Sequence, residues 1–313
     1  NALCIQTIQA QSPLFSCVRK VLKMKSQTKL QLIKLKQVLA FACLLIFTGV
    51  SAQDRYYGSS REVGYQIGTG YYIGDLNPTS PLTNRFHISQ GCYFRNNFNS
   101  RVSIRLQLMD GYVEAWDEDS EVTWAQNRNL HFRNRIKEYS ITGEINYIDH
   151  EIGNSSHRLT GFLTTGLALF THDPESMDSY GNWQPLRPLG TEGQGWVDGV
   201  EYYQLSGVAL PFGMGFKINL SSAISFQAEW GMRKTWTDYL DDVSTTYVNS
   251  IDQRIERGEL SAELADRIIA LPNGITSSEG LQRGDPGRDD KYGYFLASIS
   301  FRVSKKPSTC WQQ

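Results

Sequence analysis

The sequence predicts an all-β protein: an antiparallel transmembrane β-barrel of about eight strands with a partly helical last external loop. Three observations predict it. Stretches of about ten residues alternate apolar and polar side chains; the connections alternate between short and long; and aromatic residues gather at the strand ends. Ten residues is the length a tilted strand needs to cross a bilayer. A closed barrel is the only sheet that satisfies every backbone group inside lipid.

The segment ahead of the strands reads as an export signal. Residues 1–23 form a doubtful upstream extension, and Met24 is the expected initiator. Lys25, Lys29, Lys34 and Lys36 make a basic n-region, residues 38–50 an apolar core, and Val50, Ser51 and Ala52 a small-residue cleavage site, so that 24–52 is a signal peptide. An apolar run of about 13 residues is short of the ~20 that a spanning helix needs. Gln53 follows the small residues where a lipoprotein would carry Cys. The barrel domain is then expected over 53–306, with a short tail over 307–313.

The opening strand shows the alternation best. Over 62–73, Val63, Tyr65, Ile67, Thr69, Tyr71 and Ile73 share one face; Glu62, Gly64, Gln66, Gly68, Gly70 and Tyr72 share the other. One face suits hydrocarbon, the other a cramped interior of small or polar groups. Val102, Ile104, Leu106 and Leu108 oppose Ser103, Arg105 and Gln107. Segments 138–147 and 224–233 repeat the pattern, and weaker versions run through 85–95, 157–170, 203–218 and 292–303. Pro211 is awkward in this scheme, because proline removes a ladder hydrogen bond; either a bulge breaks the sixth strand there or that stretch lies above the membrane.

The connections carry a second signal. Joins near 96–100, 151–155 and 219–222 are short and rich in Asn, Gly and Ser, whereas 75–84, 115–134, 171–201 and 241–290 are long. Outer-membrane barrels distribute periplasmic turns and external loops in this way, and a soluble barrel has no reason to. Tyr71, Tyr72, Tyr112, Trp116, Tyr202, Tyr203, Trp236, Tyr239, Tyr292 and Tyr294 fall near the loop ends; Phe94, Phe98, Tyr147, Phe216 and Phe226 fall nearer the turns. Amphipathic rings suit headgroup depth. In the last loop, helical spacing predicts helices over 249–257 and 262–271, the second capped by Ser261.

Composition narrows the function classes. The net charge of −1 argues against a nucleic-acid partner. A mean hydropathy of −0.38 excludes a helical membrane bundle but not a barrel with polar lumen and loops. After Ala52 only Cys92, in a predicted strand, and Cys310, in the tail, remain, and they make neither a disulfide framework nor a metal spacing.

Three groups of segments resemble the PorG-like outer-membrane proteins associated with type IX secretion in Bacteroidetes-type bacteria. They are GYQIGTGYYIGDLNP at 64–78; FRNRIKEYSITGEINY at 132–147; and the set TEGQG at 191–195, PFGMGFKI at 211–218 and TWTDYLDDVSTTY at 235–247. The last string is the most specific. The resemblance covers nearly the whole barrel region. It implies a non-catalytic single-domain barrel in the outer membrane, bounded by lipid and acting with periplasmic ring components of the secretion apparatus. It implies no cofactor. The motif residues Thr235, Trp236, Thr237, Asp238, Tyr239, Leu240, Asp241 and Asp242 mark the family without defining a site.

Several residue groups are candidate sites. Glu62, Arg95, Arg105, Glu138, Glu144, Lys217, Glu229 and Arg233 have the parity of lumen residues. In a barrel of about eight strands they are expected to pair and plug the lumen, rather than line a gated polar path. Asp238, Asp241 and Asp242, with Asp285, Asp289 or Asp290, are weighed as a Ca²⁺ site; the spacing lacks the EF-hand pattern, and a loop stapled by Asp side chains is the preferred reading. His131, His172, Asp173 and Ser176 are the residues a lipid-modifying enzyme would have to use, but no nucleophile motif accompanies them. Gly68, Gly70, Gly74, Gly213 and Gly215 alternate within strands and relieve crowding there. An adhesion barrel that binds extracellular ligands through its loops is the main rival to the secretion reading.

Overall fold

In the computed structural model, residues 60–78, 85–154, 157–272 and 274–303 are described. The expected signal peptide, the upstream extension, Cys310 and the C-terminal tail lie outside them. Eight long strands form the barrel: β1 (Ser60–Ile73), β2 (Ile88–Asn97), β3 (Val102–Trp116), β4 (His131–Asn146), β5 (Leu159–Thr171), β8 (Ser206–Asn219), β9 (Ile224–Thr235) and β10 (Lys291–Arg302). Each pairs antiparallel with its neighbours, β1 closes on β10, and no sheet edge remains within the barrel. Two short strands, β6 (Pro174–Met177) and β7 (Trp183–Pro185), form a hairpin that extends the sheet above β4 through the pairs Arg133–Glu175 and Asn134–Pro174.

Period-two patterning sets the faces, and on β3 and β4 it inverts partway along the strand. The outward positions of β3 run Val102, Ile104, Leu106, Leu108, then Asp110 and Tyr112; the inward ones run Ser103, Arg105, Gln107, then Met109, Val113 and Ala115. On β4 the outward side runs Arg133, Arg135 and Lys137, then Tyr139, Ile141 and Ile145. Its inward side runs Phe132, Asn134 (which donates to the Leu240 carbonyl) and Ile136, then Glu138, Ser140, Thr142 and Glu144. Asp110 and Lys137, the outward residues where the change occurs, are register partners. Below that level the barrel is apolar outside and ionic inside; above it, charged outside and mainly apolar inside.

The upper core contains Tyr72, Met109, Val113, Phe132, Ile136, Phe170, Tyr292, Tyr294 and Leu296, sealed from above by Leu240, Val243 and Leu264 of the last loop. The lumen is therefore not uniformly small and polar as its lower half suggests. The same packing corrects the expected aromatic girdle. Tyr72, Tyr203, Tyr292 and Tyr294 are buried, the strand tyrosines pointing into the barrel. Tyr71 faces outward but is buried against Phe295, the rings tilted by 42° with centroids 5.2 Å apart. Trp236 at the loop end and Phe98, Tyr147 and Phe216 at the turn end are exposed.

Pro211 neither bulges nor leaves the sheet. β8 pairs with β9 straight through it (Pro211 opposite Arg233), while its ladder with β5 skips the two positions between Ala209–Ala168 and Phe212–Thr165 without a change of register. The missing N–H thus faces β5, and the adjoining pairs hold the strand in place. Crowding accounts for the small residue at Gly68: a Cβ there would stand 1.8 Å from the Phe295 carbonyl oxygen.

The joins differ from expectation at one turn. Residues 98–101 and 220–223 are tight, but the join between β4 and β5 is longer, and among its described residues Ile152 is buried and Arg302 donates to its carbonyl. The long connections lie at the other end. The outer loops carry α1 (Thr123–Arg128), α2 (Ser250–Arg257) and α3 (Glu259–Ala265). Asn249 caps α2 by accepting from the amides of Ile251 and Asp252. The second helix starts earlier than 262 and ends at Ala265, so Ser261 is inside it and not its cap. The Ser261 hydroxyl instead donates to the Leu189 carbonyl and accepts from Gln253. A buried Gln253–Ser261 hydrogen bond joins the two helices.

Candidate functional site

Two buried polar assemblies occupy the molecule, one in the barrel and one in the loops above it. In the barrel, Glu144 on β4 is the hub. It receives Lys217 Nζ at 2.6 Å, Arg95 Nε at 2.9 Å and Arg105 Nε at 3.1 Å. Arg95 also reaches Glu62 at 2.6 Å and donates to Gln227; Arg105 holds Glu229 with both terminal nitrogens, at 2.6 and 2.9 Å. Three carboxylates thus face three cations. Higher up, Arg233 holds Glu138 at 2.9 Å, and the Tyr292 hydroxyl donates to the same carboxylate at 3.0 Å.

All eight lumen-parity charges therefore lie inside and are ion-paired. Pairing matters because burying a lone charge is prohibitive, while a neutralised, hydrogen-bonded set is tolerated. The lower lumen is filled by these paired side chains, and the apolar upper core packs above them.

The outer-loop assembly brings together strings that are far apart in sequence. Glu192 of TEGQG accepts from the amides of Ser244 and Thr245, from the Thr245 hydroxyl at 2.8 Å and from Arg283 at 2.9 Å. Asp242 accepts from Thr191 and from the Tyr203 hydroxyl at 2.6 Å. Arg283 also donates to the Asp242 carbonyl. Arg128 grips Asp117 with two bonds of 2.7 Å and donates to the carbonyls of Arg283 and Asp75. Four outer connections are thereby stitched into one platform. Glu192, Arg283, Arg128 and Asp117 were not singled out from sequence; only the TEGQG string pointed near them.

At the base of the platform, the Tyr72 hydroxyl lies 2.5 Å from Asp241 Oδ2 and 2.8 Å from Asp290 Oδ1. Tyrosine has one hydrogen to give, so one of these carboxyls must itself be protonated and donate to the phenol oxygen. Burial agrees, raising both well above the usual carboxylate range, with the neighbouring acids adding to it. Burial also pushes Asp242 up to about 6, opposed by Arg283, and Asp238 up to about 7, helped by Asp75, Glu192 and Asp285.

The acidic group weighed for Ca²⁺ does not converge. Asp242 turns to Tyr203 and Thr191, Asp241 and Asp290 share Tyr72, and Asp289 is exposed. Among the described residues no three His, Cys, Asp or Glu side chains are grouped to hold a metal.

The residues weighed for catalysis are likewise separately employed. Ser176 Oγ donates to the backbone carbonyl of His131, whose ring stacks on Trp116 at 4.0 Å and accepts from the Met177 amide. His172 contacts Asn134 and the Gln204 carbonyl, and burial lowers its pKa to about 4. No nucleophile and base share a hydrogen bond in this set. Cys92 is free and exposed on an outward position of β2.

Of the motif residues, Leu240, Asp241 and Asp242 are buried in the platform, Thr235 is buried where it donates to the Asp290 carbonyl at 2.6 Å, and Trp236 is exposed at the rim. Tyr239 stacks on Tyr203 with centroids 4.6 Å apart. Thr237 and Asp238 are half-buried beside them.

A family described as a domain of unknown function, DUF6089, matches residues 36–184. No curated protein matches the chain. Among solved structures it is similar to Neisserial surface protein A (TM-score 0.39, 8% identity, covering 79% of this chain and 99% of that one). It is also similar to OprG from Pseudomonas aeruginosa (TM-score 0.37, 8% identity, 80% and 97% covered) and to the Yersinia pestis attachment invasion protein Ail (TM-score 0.35, 12% identity, 79% and 100% covered).

Proposed function

We propose that this chain is an outer-membrane barrel that does not conduct and that works as an anchor and assembly partner within a type IX protein-secretion apparatus. One observation carries the membrane reading: an apolar outer wall around an ion-paired lumen, ending at a charged rim. The outward apolar run of β9, residues 224–232, is roughly 30 Å of strand at ~3.3 Å per residue. Tilted by about 40°, it spans about 23 Å, close to the ~25 Å apolar band of such barrels.

The filled lumen supports an anchor over a pore, and single-channel recording in planar bilayers should show no stable conductance. The secretion role rests on the resemblance of the three segment groups. With the termini and short turns on the periplasmic side, a ring component would meet the turn end, where Phe98, Tyr147 and Leu220 are exposed. Deleting the gene should abolish export of type IX cargo while leaving other outer-membrane proteins in place; normal export from a clean deletion strain would refute the role. A photo-crosslinker at Ser222 should capture ring components, and one at Tyr180, 88% exposed in an outer loop, should not.

A second reading, binding of an extracellular partner by the loops, has its own support. α2 presents Ile251 and Ile255 outward, 62% and 73% exposed, beside Trp196 and Val197. Exposed apolar clusters outside lipid mark interaction surfaces. Capture of an external ligand from Tyr180, with none from Ser222, would favour it.

A further inference from the structure

Most outward charges at the level where the wall changes from apolar to polar are compensated. Arg135 holds Asp110 at 2.7 Å, Arg133 holds Glu175 at 2.7 Å, and Lys137 stands opposite Asp110 in the ladder. Lys234 and Lys291 break this rule. They are direct cross-strand partners, one at the top of β9 and the other at the start of β10. Their flanking partners in the same row are Leu210 on β8 and Ile73 on β1. Neither ammonium has a carboxylate within ion-pair distance among the described residues.

Like charges directly opposite one another oppose pairing, with Cβ atoms only ~4.5–5.5 Å apart. An anion from outside the protein would offset that cost. The pair's position selects the anion. The outward residues below are Met232 on β9 and, past Gly293, Phe295 on β10, and exposed Trp236 follows Lys234 by two residues. Lysine stems on such a wall lie along apolar surface and lift their charges to headgroup depth. The anion that a bilayer offers there is a lipid phosphate, and one phosphate can take a hydrogen bond from each of two adjacent ammonium groups.

We propose that Lys234 and Lys291 together clasp a phosphate of a phosphorylated glycolipid in the outer leaflet, making this seam of β9 and β10 a specific lipid site. The inference rests on the outer-membrane reading, with the long loops outside.

The test uses the full-length protein extracted from outer membranes in mild detergent, stripped of lipid, and given diphosphorylated lipid A or its dephosphorylated form. Retained lipid is read by native mass spectrometry. The wild type should retain the phosphorylated form in preference to the other. K234Q/K291Q should lose retention by about tenfold, the scale of a charge-assisted contact. K234R/K291R should restore it. Equal retention by wild type and K234Q/K291Q would overturn the site, as would equal retention of both lipids. Displacement by millimolar inorganic phosphate would overturn the lipid assignment in favour of a free-phosphate site. Fractionation of both proteins and their heat-modifiable gel migration test the barrel separately. If they reach the outer membrane as folded barrels and the lipid result is negative, only this inference fails; if the wild type does not, the membrane reading fails.

Discussion

The lower lumen and the outer-loop platform both bury charge, but they reach neutrality by different routes. In the lumen, carboxylates and cations come from strands, and each cation has a carboxylate within salt-bridge reach. In the platform most groups come from loops, and acids outnumber the cations that reach them. Neutrality there depends on backbone amides, hydroxyls and a retained proton at Tyr72, Asp241 and Asp290. The lumen is thus balanced by side-chain charge alone, while the platform holds only when the loops are folded on one another. A defect in the first should damage the barrel, and one in the second should free the loops.

Glu144→Gln offers the largest expected effect. It leaves Arg95, Arg105 and Lys217 with one fewer anion, and breaking a buried pair costs about 3–5 kcal/mol. Urea titration in lipid vesicles, followed by heat-modifiable gel migration, should show the loss across the whole barrel; an unchanged midpoint would mean that the network contributes no stability. Glu192→Gln should cost about 2–3 kcal/mol, since hydrogen bonds to a charged group are lost. That loss should be local: the outer loops become protease-sensitive while the barrel midpoint stays. Barrel unfolding at the same rate as loop cleavage would erase the distinction between the regions.

Asn249→Ala removes the cap of α2 and should cost about 1 kcal/mol, visible as faster amide exchange over 250–257 and nowhere in the strands. Asp238→Asn probes the proton balance. Its folded pKa of about 7 lies above the ordinary 3.8, so the stability it contributes is present in acid and is lost as pH rises through about 7. The variant should therefore protect the loops from protease relative to wild type above about pH 7, and should not do so near pH 4. His172 has the opposite sign: its pKa of about 4 removes stability as pH falls below 6.5, in both proteins alike, so it cancels in the comparison. Equal protection ratios at the two ends would exclude Asp238 as the titrating group.

The barrel was legible because a strand's two faces are written directly in a period of two. Glu62, Arg105, Glu144 and Glu229 could be placed inward from their neighbours alone. The inversion at Asp110 and Lys137 was written there too, in Met109, Val113, Ile136 and Phe132, but was masked by the expectation of one uniformly polar lumen. The tyrosines read two ways for a related reason: Tyr72, Tyr292 and Tyr294 carry the ring that also suits a headgroup girdle, and only parity, which already set Tyr72 on the interior face of its strand, distinguishes them. The platform was not legible. Glu192 meets Ser244 across 52 positions and Arg283 across 91, and no local pattern encodes a loop-to-loop contact of that span.

Strand length, face and loop asymmetry follow from the sequence by itself, because the sheet repeat and the bilayer thickness act on neighbouring residues. The sequence also determined the chemistry available to each half of the wall. Only the tertiary structure decided which carboxylate neutralises which cation, that the last loop seals an apolar core, and that Lys234 faces Lys291. Those outcomes depend on register between distant strands and on the packing of loops, in which each contact is fixed only once all the others are.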